Sequence, residues 1–352
     1  MKIVLEQFKL IGKPLSCEPY GNGHINTTFL VKTDKSNDYI LQRINKNVFK
    51  KPNAVMQNIA AVTDFLLTHS HDPHSVLHLV RTIDDKISYV DEDNETWRVY
   101  DFVSDTLTLE QAEFPVDFYE SGKAFGRFQN ALTKFDATVL AETIPRFHDT
   151  PNRYSQLKEA IKNDASARLH TVQPEIDFAL AREEYASLLM RLLENKTLPL
   201  RVTHNDTKLN NVLFDKDTRK AICVIDLDTV MPGLVVNDFG DAIRFGASTA
   251  PEDETDLNKV WLSLEMFEAF AKGYLENADL TEAELTYLCD GAKMMTLECG
   301  VRFLTDYLNG DVYFKVKKPC HNLDRARTQF KLVEDMERKW DKINRIISQK
   351  KL

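Results

Sequence analysis

The stretch His204-Asn205-Asp206-Thr207-Lys208-Leu209-Asn210-Asn211-Val212-Leu213, followed by Val224-Ile225-Asp226-Leu227-Asp228, concentrates side chains able to do chemistry. Two short apolar runs, Asn211 to Phe214 and Ala221 to Ile225, flank the turn-forming segment Asp215-Lys216-Asp217-Thr218. This pattern predicts a β-hairpin that returns Asp226 to the neighbourhood of Asn211. A carboxylate, an amide five residues on, a hairpin and a second carboxylate supply, in order, what phosphoryl transfer requires. Asp206 would orient the attacking hydroxyl and take its proton, while Asn211 and Asp226 would hold Mg²⁺ through hard oxygen ligands. Asn and Asp also crowd ordinary turns, so Asp-x-x-x-x-Asn alone says little. The complete series is much rarer and favours the catalytic reading.

The elements that must position these groups fall into two parts. Thr27 to Val31, Tyr39 to Ile44, Ile87 to Val90 and Trp97 to Val103 are rich in β-branched and aromatic residues and read as strands. One helix interrupts them near Asn53 to Thr68, where Val55, Ile59, Val62 and Leu66 recur at helical spacing. From about Leu107 the pattern turns helical, with helices expected over Asp117 to Ala131, Glu175 to Leu193, Leu257 to Leu275, Glu282 to Leu308 and Arg325 to Ile347. The expectation is an α+β, bilobal fold. A small antiparallel β lobe with one helix (1–104) would bind nucleotide, and a larger, mainly α-helical lobe (105–352) would carry catalysis. A short connection near 101–106 joins them, and clefts at such joins commonly hold ligands.

Composition narrows the function classes. The 352 residues carry a net charge of −9, which opposes general nucleic-acid binding because phosphate neutralisation needs a clustered basic surface. Charges interrupt the first ten residues too early for a signal peptide, and no apolar run approaches a membrane span. The five cysteines are scattered, without a Cys-x-x-Cys pair, so neither a zinc site nor a disulfide framework is indicated. A cytoplasmic monomer without nucleic-acid or membrane partners is expected.

Further segments carry a family resemblance. They are Pro19-Tyr20-Gly21-Asn22-Gly23-His24-Ile25-Asn26-Thr27-Thr28, Tyr39-Ile40-Leu41-Gln42, Phe147-His148-Asp149-Thr150-Pro151 and Gln173-Pro174-Glu175-Ile176-Asp177-Phe178. Beyond the catalytic loop come Asp238-Phe239-Gly240-Asp241, Arg244-Phe245-Gly246-Ala247-Ser248, and Glu298-Cys299-Gly300-Val301-Arg302-Phe303 through Gly310-Asp311-Val312-Tyr313-Phe314. Through nearly its whole length the chain resembles the aminoglycoside phosphotransferase and choline kinase superfamily, which has a protein-kinase-like fold, and within it the N-acetylhexosamine 1-kinases.

The resemblance implies transfer of the ATP γ-phosphate, with Mg²⁺, to the anomeric hydroxyl of GlcNAc or GalNAc. It makes Asp206 the base and Asn211 with Asp226 the metal ligands. His24, Arg302 and Tyr313 fall around the sugar, with Asp206 itself, Asp241 and Arg244. Gly21 and Gly23, ahead of Asn26 and Thr27, read as a turn whose amides cover phosphate. Arg43 is a candidate phosphate contact, and adenine is expected beside Tyr100, Asp101 and Val103. Taken singly, Arg302 reads as a helix-surface charge, Tyr313 as a core aromatic and His24 as a surface histidine. Two alternatives remain open: a kinase for another small alcohol (aminoglycoside, choline or homoserine type), and a catalytically dead nucleotide-binding scaffold.

The sequence also departs from the protein-kinase pattern. Gln42 stands near the position of the strand lysine, and the helix Asn53 to Thr68 contains no glutamate to pair with one. Asp238-Phe239-Gly240 mimics the kinase metal motif but follows the hairpin, so Asp226 is the better metal ligand, and Asp228 reads as a second metal ligand or, the favoured reading, as its hydrogen-bonding neighbour. His69, His71, His74 and His78 lack zinc-site spacing and read as a polar loop. Glu334 to Lys351 reads as a solvated amphipathic helix.

Overall fold

The computed structural model describes residues 1–21, 25–35, 37–69 and 75–349. Gly23, His24, His71 and His74 lie outside the described residues. The chain forms two compact units, and neither is a single stretch of sequence. The first comprises Met1–Thr108, Ala131–Pro145 and Asn211–Pro232; the second comprises Leu109–Asn130, Arg146–Asn210 and Gly233–Leu352.

In the first unit, β-branched and aromatic runs form an antiparallel sheet. Its strands lie in the order Pro14–Pro19, Thr27–Thr33, Tyr39–Arg43, Thr96–Asp101 and Leu79–Val80, and Tyr89–Val90 also pairs with Thr96–Asp101. Thr27 pairs with Arg43 and Thr28 with Gln42, while Gln42 faces Arg98 on the next strand. This register places the strand after the Gly21 turn beside the strand that carries Gln42, which in turn lies beside the strand that carries Arg98. Val31, Tyr39, Leu41, Val80, Trp97 and Val99 form a core with Val4, Leu5 and Phe8 of the N-terminal turn. The predicted helix spans Pro52–His69 and buries Val55, Met56, Asn58, Ile59, Val62 and Leu66. The predicted hairpin also forms, from Val212–Asp215 and Ala221–Val224, and Thr106–Leu107 adds a third strand to it.

The second unit is mainly helical. Glu282–Leu308 is its central helix, predicted to the residue by the pattern of apolar positions. It starts in a capping box: Glu284 N donates to Thr281 Oγ1 at 3.2 Å, and Thr281 N donates to Glu284 Oε2 at 2.7 Å. The same buried Glu284 receives a bidentate pair from Arg201 at 2.6 and 2.7 Å. Arg201 opens the strand that leads into the His204 loop, so the fork ties that strand to the central helix.

Three expected helices are divided, and tertiary partners explain why. Glu175–Leu193 becomes Gln173–Leu180, Glu183–Ala186 and Leu188–Glu194. At the first break the Arg182 guanidinium donates to both Glu337 oxygens at 3.0 and 2.7 Å and lies 3.6 Å above the Phe178 ring. Leu257–Leu275 keeps its helix only from Leu264, where the Ser263 hydroxyl caps it, because Leu262 N is drawn away to Asp335 at 2.8 Å. Arg325–Ile347 separates into His321–Arg338 and Trp340–Gln349; at the break Lys339 Nζ reaches Leu262 O at 2.7 Å and Asp335 at 2.6 Å. Among the described residues no helix is long and apolar enough to cross a membrane.

The helix Val235–Gly246, which carries Asp238 and Asp241, packs against the central helix through glycines. A Cβ at Gly240 would lie 2.3 Å from Gly291 O, and one at Gly291 would lie 2.0 Å from Val236 O. Backbone cannot yield as a flexible side chain does, so a methyl group there forces the helices apart. Gly240→Ala and Gly291→Ala are each expected to destabilise the protein by about 1–3 kcal/mol, the usual scale of overpacking, read as a lowered denaturation midpoint. Unchanged midpoints would mean that the close approach is not required.

Candidate active site

The His204–Asn210 loop is built on Asp238. This fully buried carboxylate accepts His204 N at 2.7 Å and Asn205 N at 2.8 Å, one amide on each oxygen, and Gln129 Nε2 lies 3.2 Å from Oδ2. Thr207 Oγ1 donates to the Asp238 carbonyl at 2.6 Å, and Thr207 N to Asp241 at 3.2 Å. Asn205 adopts a left-handed conformation with φ of 63°, which Asn tolerates better than most residues. The His204 ring is buried and meets Phe125 and Phe128 edge-on at centroid distances of 5.6 and 6.1 Å. His204 therefore packs the loop from within, and its Nδ1 accepts Asp206 N at 3.3 Å. Burial pushes the Asp238 carboxyl above the usual range, against the lowering effect of His204 and the two amides. The apparent kinase metal motif at Asp238 is thus an anchor for loop amides.

Asp206 emerges partly exposed at the head of this loop, and Lys208 Nζ lies 2.7 Å from its Oδ1. The Asp206 charge raises the Lys208 amine above the ordinary lysine range despite desolvation, so the cation persists beside the carboxylate. Sequence reading gave Lys208 no role; its only signal was position, two residues after Asp206. In the first unit, Asn211 and Asp226 come together at one end of the hairpin. Val212 pairs with Val224, and Ile225 N donates to Asn211 O at 2.9 Å. Asp226 is left-handed, φ 59° and ψ 57°, ending the strand and opening the turn Leu227–Thr229. An amide and a carboxylate on adjacent hairpin ends make a donor set that suits a hard divalent cation.

The other predicted residues divide between the units. In the first, Gly21 has φ of 76°, a conformation that favours glycine. Asn26 Oδ1 accepts Asn45 N at 3.0 Å, and its amide donates to Asp228. Thr27 Oγ1 accepts the exposed Arg43 guanidinium at 3.2 Å. Tyr100 is buried, Asp101 is paired with His78, and Val103 O accepts Thr106 Oγ1 at 2.9 Å. His69 stacks on Phe65, apart from that pair, and among the described residues no group of three or more His, Cys, Asp or Glu is poised to hold a metal.

In the second unit, Asp241 Oδ1 accepts Arg244 Nε and Nη2 at 3.0 and 2.9 Å, and Arg244 Nη1 reaches Glu252 at 2.8 Å. Arg244 lines a cavity of about 320 Å³ with Leu209, Ser248, Glu252, Ser263 and Gln329. Arg302 lies 5.7 and 5.5 Å from the Phe147 and Phe314 rings, and the exposed Tyr313 meets Phe314 edge-on at 4.8 Å. Asp306 holds this segment by accepting the backbone amides of Val312, Tyr313 and Phe314 at 2.8–3.0 Å. Glu298, one turn before Arg302, is fully buried between His148 Nδ1 at 3.1 Å and Thr150 Oγ1 at 2.7 Å. Burial pushes its carboxyl up, but His148, Arg302 and Thr150 together hold it below the usual range. Glu298 and His148 were visible only as members of two separate sequence motifs.

Residues 16–281 match the phosphotransferase enzyme family. The chain belongs to this family. Solved structures share the fold across nearly the whole length. The microcompartment-associated aminopropanol kinase is 16% identical, with 97% of each chain covered and a TM-score of 0.60. Amicoumacin kinase, solved in complex with AMP-PNP, Ca²⁺ and Ami, is 15% identical over 94% of this chain and 91% of that one, with a TM-score of 0.63. An aminoglycoside phosphotransferase from Alicyclobacillus acidocaldarius is 11% identical over 100% and 95%, with a TM-score of 0.62. The protein is thus a family phosphotransferase with the α+β, kinase-like fold expected from sequence.

Asp238→Ala removes the acceptor for two consecutive buried amides. At about 1–3 kcal/mol for each unsatisfied group, a loss of several kcal/mol in stability is expected, measured by chemical denaturation. Wild-type stability in that variant would show that the loop is held by other means.

Proposed function

We propose that the protein transfers the γ-phosphate of ATP, with Mg²⁺, to the C1 hydroxyl of an N-acetylhexosamine, giving the α-1-phosphate. The observation that carries phosphoryl transfer is the juxtaposition of Asn211 with Asp226 on the hairpin ends, directly downstream of the Asp206 loop. The family match supports it, as does the bound AMP-PNP and Ca²⁺ in amicoumacin kinase. The sugar assignment rests on the sequence motifs that contain His24, Arg302 and Tyr313, and on the aromatic setting of Arg302.

Asp206 accepts the proton of the anomeric hydroxyl and points its oxygen at the γ-phosphorus. Lys208, fixed on one carboxylate oxygen, orients Asp206. Asn211 and Asp226 hold the divalent cation, which when bound neutralises charge on the β- and γ-phosphate oxygens. The turn from Gly21 through Thr27 covers the phosphates, Arg43 adds a cationic contact, and the Tyr100–Val103 backbone reads the adenine edge. Arg302 and Tyr313, with His24, receive the neutral sugar; Asp241 and Arg244 border it while supporting the loop.

The test is a panel of free sugars with ATP and Mg²⁺, reading the position phosphorylated. GlcNAc or GalNAc 1-phosphate is expected, whereas a 6-phosphate, or no product from any hexosamine, would reject the sugar assignment. Asp206→Ala is expected to lower kcat by roughly 10²-fold or more, the scale for loss of a positioned proton acceptor, while the thermal midpoint stays near wild type. Full activity in that variant would reject Asp206 as the base.

A further inference from the structure

Protein kinases position the nucleotide phosphates with a strand lysine paired to a helix glutamate. Here Gln42 stands on the corresponding strand, and the helix Pro52–His69 contains no glutamate. In their place the first unit contains a closed polar network around Arg98, 1% exposed, and Asp228, 3% exposed. Arg98 Nη1 donates to Asp228 Oδ1, and Arg98 Nε donates to Gln42 Oε1 at 2.9 Å. Gln42 Nε2 continues to Thr28 Oγ1 at 3.0 Å. Asp228 Oδ2 accepts the Asn26 amide, whose own oxygen accepts Asn45 N at 3.0 Å. The helix joins as well: Met56 Sδ lies 4.0 Å from Arg98 Nη1, and Asn58 Nδ2 donates to Val230 O at 2.9 Å, just past the turn Leu227–Thr229.

One carboxylate thus links, directly or through Arg98, the residue before the Thr27 strand, the strands that carry Gln42 and Arg98, and the turn that begins at Asp226. A buried ion pair of this kind is seldom the most stable filling for its volume, because desolvation offsets most of the attraction. What it does provide is geometry, since each member accepts only the arrangement that satisfies every hydrogen bond. Arg98 is too deeply buried and too fully engaged to contact a nucleotide, so its influence runs through Asp228 to Asp226, two residues away.

We propose that Arg98 and Asp228 are positioning residues for the metal–triphosphate end of the site, taking the place of the lysine–glutamate pair by a fixed contact between the Asp226 turn and the strand that follows the Gly21 turn. The proposal rests on the phosphoryl-transfer reading above. It predicts that disturbing the pair weakens metal–nucleotide binding selectively and spares recognition of the acceptor, most of whose candidate residues, Asp241, Arg244, Arg302 and Tyr313, lie in other segments of the chain.

The experiment compares the full-length wild type with Asp228→Asn, Arg98→Lys and the double variant R98Q/D228N. Mn²⁺·ATP affinity is read by electron paramagnetic resonance, the Mg²⁺ dependence of the rate and acceptor KM by kinetics, and folding by thermal melts. The double variant leaves no buried charge unpaired and keeps the test informative if a single variant fails to fold. Asp228→Asn and the double variant are expected to bind Mn²⁺·ATP about 10- to 100-fold more weakly, the scale for losing a partner that orients a metal ligand, with acceptor KM unchanged. Wild-type Mn²⁺·ATP affinity in folded Asp228→Asn or in the double variant would overturn the proposal. So would an acceptor KM that rises in step with the metal loss, because that is the signature of general structural damage. A wild type that binds no metal–nucleotide would remove the phosphoryl-transfer reading itself.

Discussion

A loop whose backbone amides are buried cannot rely on its own hydrogen bonds for shape. The His204–Asn210 segment obtains its shape from Asp238, whose two oxygens each hold one of two consecutive backbone amides. Buried amides demand partners, and a carboxylate is the strongest neutral-pH acceptor a side chain can offer. Because Asp238 is fixed in turn by the glycine-mediated packing of its helix on Glu282–Leu308, the loop geometry is set by backbone-to-backbone distance between two helices.

The same economy appears elsewhere in each unit. Four buried carboxylates are held in hydrogen-bonded sets: Asp238 with the loop amides, Asp241 with Arg244, which also reaches Glu252, Glu284 with Arg201, and Asp228 with Arg98 and Asn26. Each set ties a chemically important segment to a rigid helix or sheet. A partly satisfied network would be worse than an apolar core, so these groups act as all-or-none specifiers of local conformation.

The parts legible in sequence are those in which local patterns carry the information. Strand alternation, the 3.6-residue period of the central helix and the turn between Phe214 and Ala221 all appear within windows of one element, and the hairpin places Asn211 and Asp226 as the spacing implied. Helix ends were less legible. The breaks near Arg182 and Lys339 arise because those side chains reach Glu337 and Asp335 on distant segments, which no local propensity encodes. Nor could spacing show that Asp241 and Arg244 are buried against each other and the loop, or that Tyr313 stands exposed while its backbone is clamped by Asp306.

By itself the sequence determined the fold class and supplied Asp206, Asn211 and Asp226 as the candidate chemical set, because order and spacing along the chain are properties of the chain alone. Tertiary structure decided which buried polar groups pair. Glu298 met His148 across 150 residues, and Asp228 met Arg98 across 130. Such pairings follow from the burial of whole faces and from sheet register, which bring distant residues together only once the chain has closed on itself.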